Sequence, residues 1–368
     1  MRNFFSRSNK VRKVISSFVV IFALLFLNSC FLLFIEKPVD EDSGSNQTDQ
    51  ALSTQSGEVS YKKYEMIDIS SLKKVDEYAR SVPSSQAQNV ETLTHYLLKP
   101  AKSELEKFRA IWIWITDNIA YDVDGYFSGS ITSYDAQTAF SKRVGVCSGY
   151  ASLFKQMADI AGLECQVITG YAKGYNYSYE ITTLPADNHA WISLKINGKW
   201  YLADPTWGAG YVDYSKKFIK DYEEFYFCTN PSFLIYSHFP DDPNWQLLEN
   251  AVDADTFIKL VRTWPIFFKL GFSNLSHPYG RIETNKVNLE IKIQADIPGT
   301  KILGGLYFAE NGKEAAKVNC QKQINSNVTT WSIFVNFPGK GKYILYIFAG
   351  FDRDTEFAGA LEYYIEVK

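Results

Sequence analysis

The segment "HAWISLKINGKWYLAD", His189 to Asp204, constrains this chain more than any other stretch. Two runs rich in aromatic and β-branched residues flank Asn197-Gly198. That dipeptide suits a two-residue turn with positive φ at both positions, so the segment reads as an antiparallel hairpin. The turn fixes the register: Ile196 faces Lys199, and facing residues sum to 395. His189 then faces Thr206, and Asp204 faces Trp191. Side chains alternate along a strand, so His189, Trp191 and Ser193 share a face with Thr206, Asp204 and Leu202. Asp204 is therefore the diagonal neighbour of His189, with Cα atoms ~7–8 Å apart and side chains closer. A carboxylate there can fix the tautomer of the imidazole and stabilise its protonated form.

Upstream, "CSGYASLFKQMADIAGL" carries Tyr150, Phe154, Met157 and Ala161 at helical spacing, and Gly162 is a natural stop. The spacing predicts a helix that opens at Cys147. A helix start carries roughly +0.5 charge, which favours a thiolate, and its free N–H groups can hold a developing oxyanion. Gly145 and Gly149 bracket the cysteine and allow close backbone approach. Most cysteines at helix starts are small buried residues, and an isolated His–Asp pair is usually surface polarity. Their combination is the layout of thiol acyl-transfer chemistry, a nucleophile with a base held by an acid. The hairpin alone does not bring Cys147 to His189; that requires the fold. A zinc site on Cys147, His189 and Asp204 lacks a second cysteine, so no metal and no cofactor are expected.

Around this centre, "SELEKFRAIWIWITDNIAYD" reads as a helix. Ser103 and Glu106 form a capping box, and Leu105, Phe108, Trp112, Ile115 and Ile119 form one apolar face. "CQVITGY" (165–171) reads as a further strand, and "ENAVDADTFIKLVRTW" (249–264) as a closing helix. From about Phe267 the chain turns to short strands split by turns such as Asn311-Gly312, which predicts a β-sandwich. A 16% aromatic content suits such strand-rich cores.

"GVCSGYASLFKQMADIAGLECQVITGYA" followed by "NHAWISLKINGKWYLADPTWG" resembles the transglutaminase-like core. The order Cys, His, Asp and the spacings of 42 and 15 residues both match, as does the "AIWIWITDNIAYD" helix. "FYFCTNPSFLIYSHFPDDPNWQLL" resembles the kyphoscoliosis-peptidase branch. The resemblance is strong over about residues 65–270. It implies an α+β fold in which a papain-like core, a cysteine helix packed on an antiparallel sheet, precedes an all-β immunoglobulin-like sandwich. By position it makes Cys147 the nucleophile, His189 the general base and then acid, and Asp204 the orienting residue. Gln137 is a weak candidate for a second oxyanion donor and reads more readily as a helix-surface glutamine. Tyr150, Trp191 and Trp207 either wall a substrate cleft or pack in the core. The segment 174–187 reads as a mobile lip or as an exposed tyrosine-rich loop. His95, His238 and His277 have no carboxylate or thiol partner at useful spacing, and His238 is read as structural.

The N-terminus is basic and then apolar from Val14 to Leu27, as in a signal peptide. "LNSC" resembles a bacterial lipobox, which would make Cys30 the lipidation site. The apolar run resumes to Ile35, so a single anchor helix is the alternative. The expected organisation is a leader over 1–29, a tether over 30–60, the cysteine domain over 61–265 and the sandwich over 266–368. Either form of anchoring puts the folded part outside the cytoplasm, where disulfides can form. Setting aside the five basic residues of the leader changes the net charge from −3 to −8, so nucleic acid is not an expected partner. The expected partners are a protein or peptide substrate and the membrane. The expected reaction is thioester formation on an amide, resolved by water or by an amine, with hydrolysis favoured. A non-catalytic adhesion scaffold is the alternative.

Overall fold

A computed structural model describes residues 67–213, 215–325 and 328–368. The leader, Cys30 and the tether lie outside these residues. Among the described residues, no helix is long and apolar enough to cross a membrane.

The helix Glu104–Asn118 begins as its sequence predicts, with the Ser103 hydroxyl accepting from the Glu106 N–H at 3.2 Å. The other half of the box is shifted by one residue, because the Glu106 carboxylate accepts from the N–H of Lys102. Farther along, the single apolar face of the sequence reading is too narrow. Every residue from Phe108 to Thr116 is buried, Arg109 included. "IWIWI" supplies apolar side chains to both faces, and elements pack on each. The buried Arg109 guanidinium is held by a two-pronged contact with Asp76 at 2.7 Å and by the Glu224 carboxylate. A buried cation survives only when paired in this way. Arg109→Ala would leave Asp76 and Glu224 without their partner. Denaturant unfolding should show a loss of about 3–5 kcal/mol; a change under about 1 kcal/mol would refute this account.

The sheet of the first domain is antiparallel, in the order Lys199–Ala203, His189–Ile196, Cys165–Ala172, His238–Pro240. The hairpin has the register read from the turn: Ile196 faces Lys199 and Ile192 faces Ala203. Asn197 and Gly198 have φ of 51° and 77°, as a two-residue turn of this kind requires. The second strand stops at Ala203. Asp204 instead caps the short helix Pro205–Ala209, its Oδ1 accepting from the N–H groups of Thr206 and Trp207 at 2.8 and 3.1 Å. The helix Cys147–Ile160 packs across the sheet. Gly149 makes this seat possible, because a Cβ there would lie 2.3 Å from the Ser133 carbonyl oxygen.

The expected closing helix over 249–264 is shorter, running only from Ala254 to Lys259. The Asp253 side chain caps its start, but Val261 turns into the second core, and Arg262–Thr263 pairs with the last strand at Glu362 and Leu361. Two sheets then face each other. One has the order Phe272–Ser273, Asn288–Ala295, Val328–Asn336, Asn319–Asn325; the other, Arg281–Thr284, Ala358–Val367, Gly341–Phe351, Thr300–Phe308, Glu314–Lys317. Ile291, Ile333 and Val335 from the first pack with Ile302, Leu345 and Ile365 from the second, a sandwich core.

Candidate active site

Three elements converge at the start of the Cys147 helix. Strand His189–Ile196 brings His189 there from its first position, and the cap of helix Pro205–Ala209 brings Asp204. His189 Nε2 lies 2.8 Å from Asp204 Oδ2, and the Cys147 thiol interacts with the same imidazole. The backbone N–H of Ala190 also acts to lower the pKa of the thiol. With Nε2 committed to the carboxylate, the remaining ring nitrogen, Nδ1, faces the thiol.

The electrostatics follow from this geometry. Burial acts to raise the Cys147 pKa, but the hydrogen bond and charge of His189 outweigh it, and the thiol is held below its ordinary range. Burial also opposes charge on His189, yet Asp204 and Cys147 together push it up to about 10. Asp204 is fully enclosed, which favours its neutral form. The two histidines beside it and their hydrogen bonds win, and its carboxyl stays well below the carboxylate range. Both shifts favour a thiolate–imidazolium pair backed by a carboxylate, the ionisation a sulfur nucleophile needs.

The other sequence-named residues divide. Trp191 stacks near the His189 ring, with centroids 6.0 Å apart, but is buried in the core, and its indole N–H has no hydrogen-bond partner. Trp207 is half-buried and lies 5.5 Å from the His189 ring, where it can border a bound chain. Tyr150 is not a cleft wall. It is fully buried and donates to the Ile119 carbonyl at 2.7 Å, because its position on the Cys147 helix points into the core. Gln137 is exposed on the helix Ala136–Lys142, and no hydrogen bond joins it to Cys147 or His189. The 174–187 segment is exposed at residues 182, 183 and 185–187, while Tyr175, Tyr177 and Tyr179 are half-buried. The Tyr179 hydroxyl donates to the backbone carbonyl of Glu362 and accepts from the Arg262 N–H, so the second domain fastens it. At its base, the Asn188 side chain bonds both backbone groups of Ala172. Among the described residues Cys165, Cys228 and Cys320 form no disulfide, and burial pushes their pKa values up, unlike that of Cys147.

Sequence reasoning missed three residues. His238 does have a carboxylate partner: its Nε2 lies 3.1 Å from the same Asp204 oxygen that His189 uses. Thirty-four residues separate the two, so only the pairing of strand His238–Pro240 with strand Cys165–Ala172 reveals the contact. His95 also has a weak carboxylate neighbour, Glu91 one helical turn away at 4.0 Å. Tyr121 and Tyr126 both feel the Cys147 charge, and burial raises both phenols. The signal for Tyr121 was present in "NIAYD": it follows the buried helix directly and pairs with Gly145, two residues before the cysteine. Tyr126 lies on the helix Val123–Ser128, which borders an open cavity of about 570 Å³ also lined by Asp122, Phe127, Thr132 and Lys216. The ligand atoms of His189, Asp204 and His238 lie within 4.8 Å of one another, a spacing metal sites also use. Here each is engaged in the hydrogen bonds just described.

A helix-borne cysteine over an antiparallel sheet, with a histidine at the start of one strand and an acid just past the end of its neighbour, defines the papain-like class. Residues 91–205 match the transglutaminase-like superfamily, and residues 254–368 match the KY-like, immunoglobulin-like domain. The fold is thus a transglutaminase-like core followed by an immunoglobulin-like domain. The chain is 30% identical to human kyphoscoliosis peptidase over 298 residues, which cover 81% of this chain and 43% of the relative. Mouse kyphoscoliosis peptidase is 31% identical over the same shares. Hillarin of Drosophila melanogaster is 26% identical, covering 75% of this chain and 36% of the relative. The chain spans less than half the length of these curated relatives.

Proposed function

We propose that this protein is a thiol acyl-transfer enzyme that cleaves peptide or protein amides through Cys147, His189 and Asp204. The observation that carries the reading is the meeting of three groups: the Cys147 sulfur interacts with the His189 ring, and that ring lies 2.8 Å from the buried Asp204 carboxylate. The thiolate attacks the carbonyl carbon, and the C–N bond breaks as the His189 imidazolium protonates the leaving amine. The resulting thioester is attacked by water, which gives its proton to His189, and the acid and the free thiolate are released. Asp204 holds the ring and stabilises its charged form throughout. The names of the kyphoscoliosis peptidases support hydrolysis over transfer to an amine. The basic and apolar N-terminal segment with Cys30 supports a membrane-anchored, extracytoplasmic address, by lipid or by helix.

The test is to incubate wild type and Cys147→Ala with a protein and cell-wall peptide pool plus a labelled primary amine, read by mass spectrometry. New termini formed by wild type alone support hydrolysis. Amine incorporation by wild type alone makes the enzyme a crosslinking transglutaminase. Identical products from both proteins would leave only the non-catalytic scaffold.

A further inference from the structure

The Asp204 carboxylate is shared. Its Oδ1 accepts from the N–H groups of Thr206 and Trp207, and its Oδ2 lies 2.8 Å from His189 Nε2 and 3.1 Å from His238 Nε2. A carboxylate only accepts, so both imidazoles donate to one oxygen and all its acceptor positions are filled. Asp204 is fully enclosed, and the His238 side chain is 1% exposed. One buried negative charge cannot sustain two imidazolium ions that share an oxygen, with ring centroids 5.4 Å apart. His189 also faces the thiolate and takes the proton. His238 remains neutral, with Nε2–H directed at Asp204 and Nδ1 as an acceptor. The Ser237 hydroxyl has one proton and lies 2.8 Å from Nδ1 and 3.2 Å from the Leu234 carbonyl, which already accepts the Ser237 N–H, so the proton goes to the closer ring nitrogen. Around His238 stand Trp207 at 4.5 Å, Trp191 at 5.1 Å and the buried Tyr226 at 6.3 Å between centroids. Apart from Asp204 and His189, these neighbours carry no charge that could take over its role.

We propose that His238 is a positioning residue: a second, uncharged imidazole, oriented by Ser237, that locks the Asp204 carboxylate in the plane from which it holds His189 against Cys147. The inference rests on the thiolate–imidazolium reading of the site. His238 does not touch the reacting sulfur and acts only through Asp204. Without it, the carboxylate has a vacant acceptor position and space to rotate, and its hold on the His189 imidazolium weakens.

The test is the pH dependence of Cys147 alkylation by iodoacetamide, read by peptide mass spectrometry, on folded wild type, His238→Ala, His238→Gln and Ser237→Ala. Wild type should react with a midpoint below pH 7. His238→Ala should raise that midpoint by about one unit or more. His238→Gln, whose amide N–H can replace the donor, should stay near wild type. Ser237→Ala, which folds with its histidine in place, should shift the same way by less. A purely structural histidine would lower the melting temperature of the variants and leave the midpoint unmoved, and that result would overturn the inference. A wild-type midpoint near the free-thiol value of ~8.5 would instead overturn the ion-pair reading on which it rests.

Discussion

Turnover by His189→Ala should fall by roughly a millionfold, the scale seen when a nucleophile or its base is removed from such a unit. Cys147→Ala should fall as far, and the double variant no farther. The sulfur needs the imidazole twice, once to exist as a thiolate and once to protonate the departing amine. Without the ring, the hydrogen bond and charge that lower the Cys147 pKa are gone, and burial is left to raise it. The thiol should then resist alkylation until well above pH 8.5. Initial rates on the substrates found by mass spectrometry would measure the loss. Losses that multiply in the double variant would mean that the two residues do not act as one device.

The centre of this site was legible because His189 begins one hairpin and Asp204 directly follows its last residue. Asn197-Gly198 allows a single register, and register decides which side chains share a face. What the register could not show was the end of the strand. Asp204 leaves the ladder to cap a helix, because Pro205 cannot continue the strand pairing but suits a first helical turn. Its side chain still reaches His189, now held by two backbone donors as well. Cys147 was legible as a helix start, from apolar spacing and the flanking glycines. Its approach to His189 became an expectation only through resemblance, since helix-to-sheet packing has no local signature. The same limit hid His238. It reaches Asp204 from a three-residue edge strand, too short for any periodicity. It also hid the fastening of the 174–187 segment, where Tyr179 meets residues 83 and 183 positions away. Arg109 was illegible for another reason. A charge just ahead of "IWIWI" reads as a solvent-facing position, and two distant acids, Asp76 and Glu224, make its burial tolerable.

Asp204→Asn should lower turnover by about ten thousandfold while leaving Cys147 and His189 in place. If the amide oxygen keeps the Thr206 and Trp207 N–H groups, the amide NH2 faces both imidazoles. Each must then present an unprotonated Nε2, so His189 carries its proton on Nδ1, toward the thiol. That tautomer cannot accept a proton from sulfur. If the amide is flipped, two backbone donors face an NH2 group instead, at about 1–3 kcal/mol for each orphaned donor. The variant should also lose a pH signature of the wild type. His189 is raised to about 10, so its contribution to stability is full below its unfolded value of ~6.5 and disappears as pH rises through 10. Cys147 is lowered, so its contribution runs the other way and grows until the unfolded thiol ionises near ~8.5. The two oppose each other until the unfolded thiol ionises, so the unopposed loss falls between about pH 8.5 and 10. Asp204 is also lowered, so its contribution is full above ~3.9 and is lost on further acidification. Asparagine removes the largest support for the His189 imidazolium, and the alkaline fall in stability should shrink with it. Denaturant midpoints at pH 7 and pH 10 would read the difference directly. An Asp204→Asn protein whose stability falls as steeply as wild type across that interval would show that the carboxylate does not hold the charged ring.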